Sequence, residues 1–295
     1  MAATEKGVWG LQDVRDKQLV SEWDYTASDP YALWAWGDNH SGGLGLNQPD
    51  NNRRSSPVQL GTDTTWTYLM GGAGDNKYHF GAITVDGTLY TWGNNANGQL
   101  GINLANLTAR SSPTQVPGTT WKYVKGRNAN VAVKTDGTLW SWGDNSQGTL
   151  GLNQPTSTEI SSPTQIGSGT DWSMMRAGDY VGTAIKTDGT LWVWGTNGQG
   201  DLGQNNTTNY SSPTQIPGTT WGTNLDTGGS SFIIIPRTDG TLWAIGSNNK
   251  GQLGVNNTTN YSSPIQIPGT TWEQANCGDD GAAYAVKTDG TTWAW

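Results

Sequence analysis

Short runs in which apolar and polar positions alternate make up most of this chain, and the runs recur. In Leu191-Trp192-Val193-Trp194 the two-residue period of a strand puts both tryptophans on one face and Leu191 and Val193 on the other, so both faces must be covered. Just upstream, residues 182–186 set Ala184 and Lys186 on one side against Thr183 and Ile185 on the other. Asp188-Gly189 joins the two runs, a signal for a type I′ hairpin turn. Trp172 opens a further strand, with a bend at Gly178-Asp179. Ser161-Ser162-Pro163 leads into a short strand at Thr164-Gln165-Ile166, where the proline belongs at an edge or a first position. The stretch 161–195 therefore predicts four short antiparallel strands, the make-up of one propeller blade.

The stretch returns along the chain. Asp-Gly-Thr begins at Asp86, Asp136, Asp188, Asp239 and Asp289, at intervals of 50 to 52 residues. After the first four comes a Gly-rich segment closing on Leu-Gly, then Ser-Ser-Pro, then one further tryptophan. A fixed period near 50 residues marks stacked supersecondary units, most often propeller blades. The expected fold class is all-β, a β-propeller over residues 31–295 with five complete units plus an orphan strand at 33–37. Fifteen of the 17 tryptophans fall in register, which predicts that they are mainly blade core; Trp9 and Trp23 lie outside it.

Composition narrows the chemistry. The net charge of −8 disfavours nucleic acid and anionic membrane as partners, because phosphate is repelled. The single Cys277 excludes an intramolecular disulfide framework and a multi-cysteine zinc site. His40 and His79 stand in different repeats without ligand-spaced partners, so no metal is expected. The Gly-rich segments lack the helix and lysine of a phosphate loop. Their acidic position is not kept (Asp38 and Asp144 against Asn94, Thr196 and Ser247), which argues against repeated calcium sites. The five aspartates of Asp-Gly-Thr share one hairpin position and read as turn residues rather than acid/base pairs. No catalytic residue, cofactor or enzyme activity is expected. No run is long enough to span a membrane, and the first residues lack the pattern of a signal peptide.

The pattern Asp-Gly-x-Leu-Trp-x-Trp-Gly-x-Asn-x-x-Gly-Gln-Leu-Gly resembles the regulator-of-chromosome-condensation repeat, most fully at residues 86–101. The resemblance covers roughly residues 31–295 and implies a propeller, usually of about seven blades. It does not carry over the founding member's guanine-nucleotide exchange activity, since fold does not fix function and the repeats here are near-uniform in length. The blade count falls short of the family's usual number and residues 292–295 already form a strand. The natural polypeptide is therefore expected to continue past Trp295 by one to two repeats, with the strand at 33–37 completing the last blade.

Residues 1–30 differ in character. Val8, Trp9, Leu11, Val14, Leu19 and Trp23 fit a short amphipathic helix, too short to stand alone, which either packs on its own propeller or, in the sharper reading, is a docking or oligomerisation segment. The stretch Gly-Val-Trp-x-Leu-x-x-Val-Arg-Asp is similar to the starts of structural proteins and fibres of tailed bacteriophages, notably those of marine cyanobacteria. That resemblance implies a homotrimer located in the virion, with other virion proteins and a host receptor or glycan as partners. Binding residues are expected in the loops before Ser-Ser-Pro, which vary between units: Arg53, Arg54, Arg110, Glu159, Tyr210 and Tyr261. The leading expectation is a non-enzymatic virion structural protein. Its rivals are a stand-alone bacterial protein- or glycan-binding propeller and, more remotely, a guanine-nucleotide exchange factor.

Overall fold

The computed structural model describes residues 31–48, 51–71, 79–104, 108–154, 156, 158–178, 180–223, 226–228, 231–278 and 281–295. The six apolar residues of the expected docking segment, from Val8 to Trp23, lie outside the described residues.

Strands dominate, with two single 3-10 turns among the described residues, at His40–Gly42 and Ser146–Gly148. β1 (Trp34–Gly37) and β2 (Arg54–Gln59) form an antiparallel pair. Four sheets of four antiparallel strands follow in chain order. The first holds β3 (Trp66–Gly71), β4 (His79–Thr84), β5 (Leu89–Gly93) and β6 (Arg110–Gln115). The second holds β7 (Trp121–Gly126), β8 (Ala129–Lys134), β9 (Leu139–Gly143) and β10 (Ile160–Gln165). The third holds β11 (Trp172–Ala177), β12 (Val181–Lys186), β13 (Leu191–Gly195) and β14 (Tyr210–Ile216). The fourth holds β15 (Asp226–Gly228), β16 (Phe232–Pro236), β17 (Leu242–Gly246) and β18 (Tyr261–Ile267). A sheet of three ends the chain: β19 (Trp272–Cys277), β20 (Ala283–Lys287) and β21 (Thr292–Ala294).

The grouping corrects the unit read from the sequence. The Ser-Ser-Pro strand closes the preceding sheet instead of opening the next, with Thr164 opposite Ser141 and Gln165 opposite Trp140. The five complete units expected are therefore four, flanked by a pair and a triplet among the described residues. Proline permits this place because β10 pairs on one side alone, and an edge strand can lack an N–H donor. The hairpins also differ from type I′. Gly137 is left-handed (φ +77°) while Asp136 is not, and Gly137 N–H donates to the Lys134 carbonyl. This is a three-residue loop with one left-handed glycine. It is favoured because the Asp136 carboxylate accepts the Thr138 backbone N–H and holds the aspartate outside the left-handed region.

The first strands β3, β7, β11, β15 and β19 touch one another in succession. They therefore lie nearest the axis, and the Ser-Ser-Pro strands lie outermost. Core forms between sheets: Val131 and Val133 of one pack with Met175, Ala184 and Trp194 of the next. The registered tryptophans follow the same geometry. Trp66, Trp92, Trp121, Trp142, Trp172, Trp194, Trp221 and Trp272 are buried. Trp34, Trp36 and Trp293, on the first and last sheets, are exposed, because no further described sheet covers them.

Candidate binding surface

The most recurrent polar groups of the repeat are engaged in structure. Asp136 accepts from Thr138 N (3.0 Å) and Thr138 Oγ1 (2.7 Å), and Thr138 Oγ1 accepts from Trp140 Nε1 (2.7 Å). Lys134 Nζ lies 4.5 Å from the Trp121 ring and 4.4 Å from the Trp140 ring. The arrangement returns at Asp188, Thr190, Trp192 and Lys186, and again at Asp239, Thr241, Trp243 and Arg237. Hydrogen bonds from these threonines hold the Asp136, Asp188 and Asp239 carboxyls below the usual range, and Thr291 does the same for Asp289. A carboxylate stabilised as the anion is a poor proton donor near neutrality.

A second device latches sheet to sheet. Trp92, Trp142, Trp194 and Trp295 donate Nε1–H to the carbonyls of Gly43, Gln99, Thr149 and Gln252, each in the Gly-rich loop of the preceding sheet (2.8–3.0 Å). One joint departs. Ile245 replaces the tryptophan, and Asp201 stands where the other loops carry Gln99, Thr149 and Gln252. Asp201 is buried; its Oδ2 accepts weakly from Gln199 N (3.3 Å) and its Oδ1 has no hydrogen-bond partner among the described residues. Burial pushes its carboxyl up to about 6.

Other sequence candidates serve the frame. His79 is fully buried, with Nε2 3.1 Å from Asn130 Oδ1. Cys277 is half-buried on β19. No group of three potential metal ligands occurs among the described residues. The rim residues are spread over five sheets, with Arg53 and Arg54 together at the first. Arg54, Arg110, Tyr210 and Tyr261 each open an outermost strand, opposite Gly37, Gly93, Gly195 and Gly246. They share one rim and do not converge. Tyr210 Oη accepts from Asn206 and Tyr261 Oη from Asn257, which fixes the loops. Arg54 donates to Gln48 and Arg110 to Thr108. Arg53 makes an exposed ion pair with Asp38 (3.1 Å), and Glu159 is exposed.

The inner strands are the surface that the sequence reading passed over. Within the chain, outermost strands repeat Ser-Ser-Pro, whereas the first strands β3, β7, β11 and β19 keep an opening tryptophan and little else, and β15 opens at Asp226. They continue Thr-Tyr-Leu-Met after Trp66, Lys-Tyr-Val-Lys after Trp121, Ser-Met-Met-Arg after Trp172 and Glu-Gln-Ala-Asn after Trp272. The Tyr68 and Tyr123 rings meet edge to face at 5.8 Å, and Tyr68 Oη donates to the Val124 carbonyl (3.2 Å). Burial raises the Tyr68 phenol, with Arg176 opposing and Tyr123 adding, so side chains from β3, β7 and β11 act on one another. Lys122 Nζ lies 5.2 Å from the Tyr123 ring. Variation within an otherwise fixed unit is the sequence signal that marks these strands, as it marks the loops before Ser-Ser-Pro.

Stacked four-stranded sheets sharing an axis define a β-propeller. The Regulator of chromosome condensation (RCC1) repeat matches residues 86–126, 136–185, 188–224 and 239–284, and the chain belongs to that family. Human WBSCR16 is similar in structure, with a TM-score of 0.73 at 18% identity over 90% of this chain and 74% of its own. Prp20p from Saccharomyces cerevisiae, studied for its binding to Gsp1p and histones, gives a TM-score of 0.71 at 19% identity, covering 84% of this chain and 62% of its own. Yeast RCC1 (Prp20) bound to Kap60 gives 0.73 at 18% identity, covering 92% and 66%. At these identities the likeness shows the fold. Comparison with curated protein sequences gave no match.

Proposed function

We propose that this chain is a non-catalytic scaffold whose propeller binds a protein partner. The supporting observation is how the repeat uses its reactive groups: the Asp-Gly-Thr carboxylates are spent on hairpins and the indole N–H groups on latches, while variation gathers on the inner strands. Propellers of the same family bind proteins, as Prp20p does with Gsp1p and histones. Cross-linking the full chain in its native source, followed by calorimetry with the purified partner, tests this. A stoichiometric, saturable complex is expected; a chain that forms none overturns it. The exchange-factor alternative is checked with a small GTPase loaded with labelled guanine nucleotide, where accelerated nucleotide release would establish it and no acceleration is expected.

Within that role, residues 1–30 motivate a finer proposal: a virion component, as a tail fibre, appendage or capsid-attached protein, trimeric through Val8, Leu11, Val14 and Leu19. Mass spectrometry of purified virions decides the location. Light scattering of a chain starting at residue 31 decides the assembly: a monomer is expected, and an unchanged oligomeric mass refutes it.

A further inference from the structure

We propose that the inner surface formed by β3, β7 and β11 is a docking site for an acidic segment of a partner protein, one that carries carboxylates beside an aromatic or aliphatic side chain. The proposal rests on the protein-binding role above and names the surface and the chemistry it selects.

Convergence of the first strands brings together residues about 50 positions apart in sequence. Tyr68, Tyr123 and Arg176 come from three successive sheets, with Lys122, Lys125 and Met174 on the same two strands as the last two. Lys122 is exposed and the others are half-buried. Among the described residues no ion pair to Lys122, Lys125 or Arg176 occurs, although the chain carries 24 acidic side chains against 16 basic ones. Basic groups left unpaired in an acidic protein form a local minimum for a carboxylate, and the surrounding negative charge penalises other orientations.

The platform is pre-set. Tyr68 is fixed by its bond to the Val124 carbonyl, and Arg176 Nη1 donates to the Met175 carbonyl (3.0 Å) beside Met174 Sδ (3.2 Å). Groups already ordered lose less entropy when a partner arrives. Tyrosine and arginine are the side chains that most often anchor protein interfaces, and methionine adapts to an apolar neighbour. The composition also argues against nucleic acid: three cations on a chain of net charge −8 cannot neutralise a run of phosphates.

Selection of a phage-displayed random dodecapeptide library on the full chain supplies the probe. Enriched peptides should pair Asp or Glu with Phe, Leu or Tyr, and a synthetic copy of the leading peptide should bind less tightly as salt rises. Arg176→Glu or Lys125→Glu should weaken it by about tenfold or more. Lys122→Glu, at an exposed position, gives the same readout without risk to folding, while Arg176→Lys should keep binding within a few-fold and Arg110→Glu on the outer rim should leave it unchanged. Peptides without acidic residues, peptides indifferent to the three charge reversals, or a library that yields no binder each overturn the site. The protein-binding role is untouched by those results, since it fails only in the cross-linking and calorimetry experiment. Heparin that binds with the same sensitivity to the reversals overturns the assignment to protein.

Discussion

Replacing Asp201 by glutamine should stabilise the protein at neutral pH. The carboxyl is 2% exposed, one oxygen has no partner among the described residues, and its pKa rises from 3.8 to about 6. A folded-state pKa above the unfolded value means that the favourable contribution is full below 3.8 and is lost as pH rises through about 6. That rise corresponds to about 3 kcal/mol as an upper limit once the group is ionised. Glutamine carries no charge, and its amide has a model in the same loop position: Gln99 Nε2 donates to Asn94 Oδ1 (2.8 Å) while Gln99 Oε1 accepts from Asn97 N (2.8 Å). Asp201→Gln should therefore gain about 1–3 kcal/mol at pH 7.5, with the gain shrinking toward pH 4.

The assay is denaturant unfolding followed by tryptophan emission at pH 7.5, 6 and 5. The native chain should become more stable from pH 7.5 to 5, and the variant should be flat over that window. The Asp-Gly-Thr carboxyls cannot mimic the effect. Their values are lowered, so their contribution is present above 3.8 and is lost only as pH falls through those lowered values. Asp201→Asn, with no added methylene, separates charge from size. Equal midpoints for native and variant at pH 7.5, or an unchanged pH slope in both variants, would refute the reasoning.

Two further substitutions test the frame. Gly101→Ala places a Cβ 2.6 Å from Trp142 Nε1 at φ +67°, and should lose about 2–4 kcal/mol. Gly251→Ala, at φ +84° with nothing within 4 Å, should lose only about 1 kcal/mol, and equal losses in denaturant titrations would contradict the latch. Thr138→Val removes the oxygen shared by Asp136 and Trp140 and should lose about 1–2 kcal/mol, while the Asp136 carboxyl moves back toward its ordinary value in an NMR titration.

What the sequence made legible was the repeat itself. Period, strand count per unit and the two-faced packing of Leu191-Trp192-Val193-Trp194 all follow from spacing, and the structure bears them out: Leu191 and Val193 pack into one core cluster, Trp192 and Trp194 into another. The phase of the sheets was not legible, because a period has no origin and a proline strand can begin or end a sheet equally well. The turn was assigned to the right residues and the wrong geometry, since Asp136 bonds forward to Thr138 in a way no dipeptide rule encodes. The inner surface escaped because Tyr68, Tyr123 and Arg176 are brought together by the convergence of sheets and by nothing local.

The departures at Asp201 and Ile245 belong to one joint, and that joint should open first. Ile245 lies against Gly203, and Asp201 Oδ1 sits beside Gly246, so both substitutions face the same seam between the third and fourth four-stranded sheets. An isoleucine cannot donate the latch bond that Trp142 and Trp194 provide at the preceding seams. The missing bond and the buried carboxylate act in the same direction, by about 1–2 kcal/mol for the former. In a stacked repeat, stability is a sum over units and their neighbouring interfaces, so the weakest seam sets where partial opening begins. Native-state hydrogen exchange in mild denaturant should therefore release the amides of β13 and β17 in one step, ahead of those of β9 and β5. In Asp201→Gln that step should shift toward global unfolding. Earlier release at the Trp142 seam would show that the latch is not what holds the sheets together.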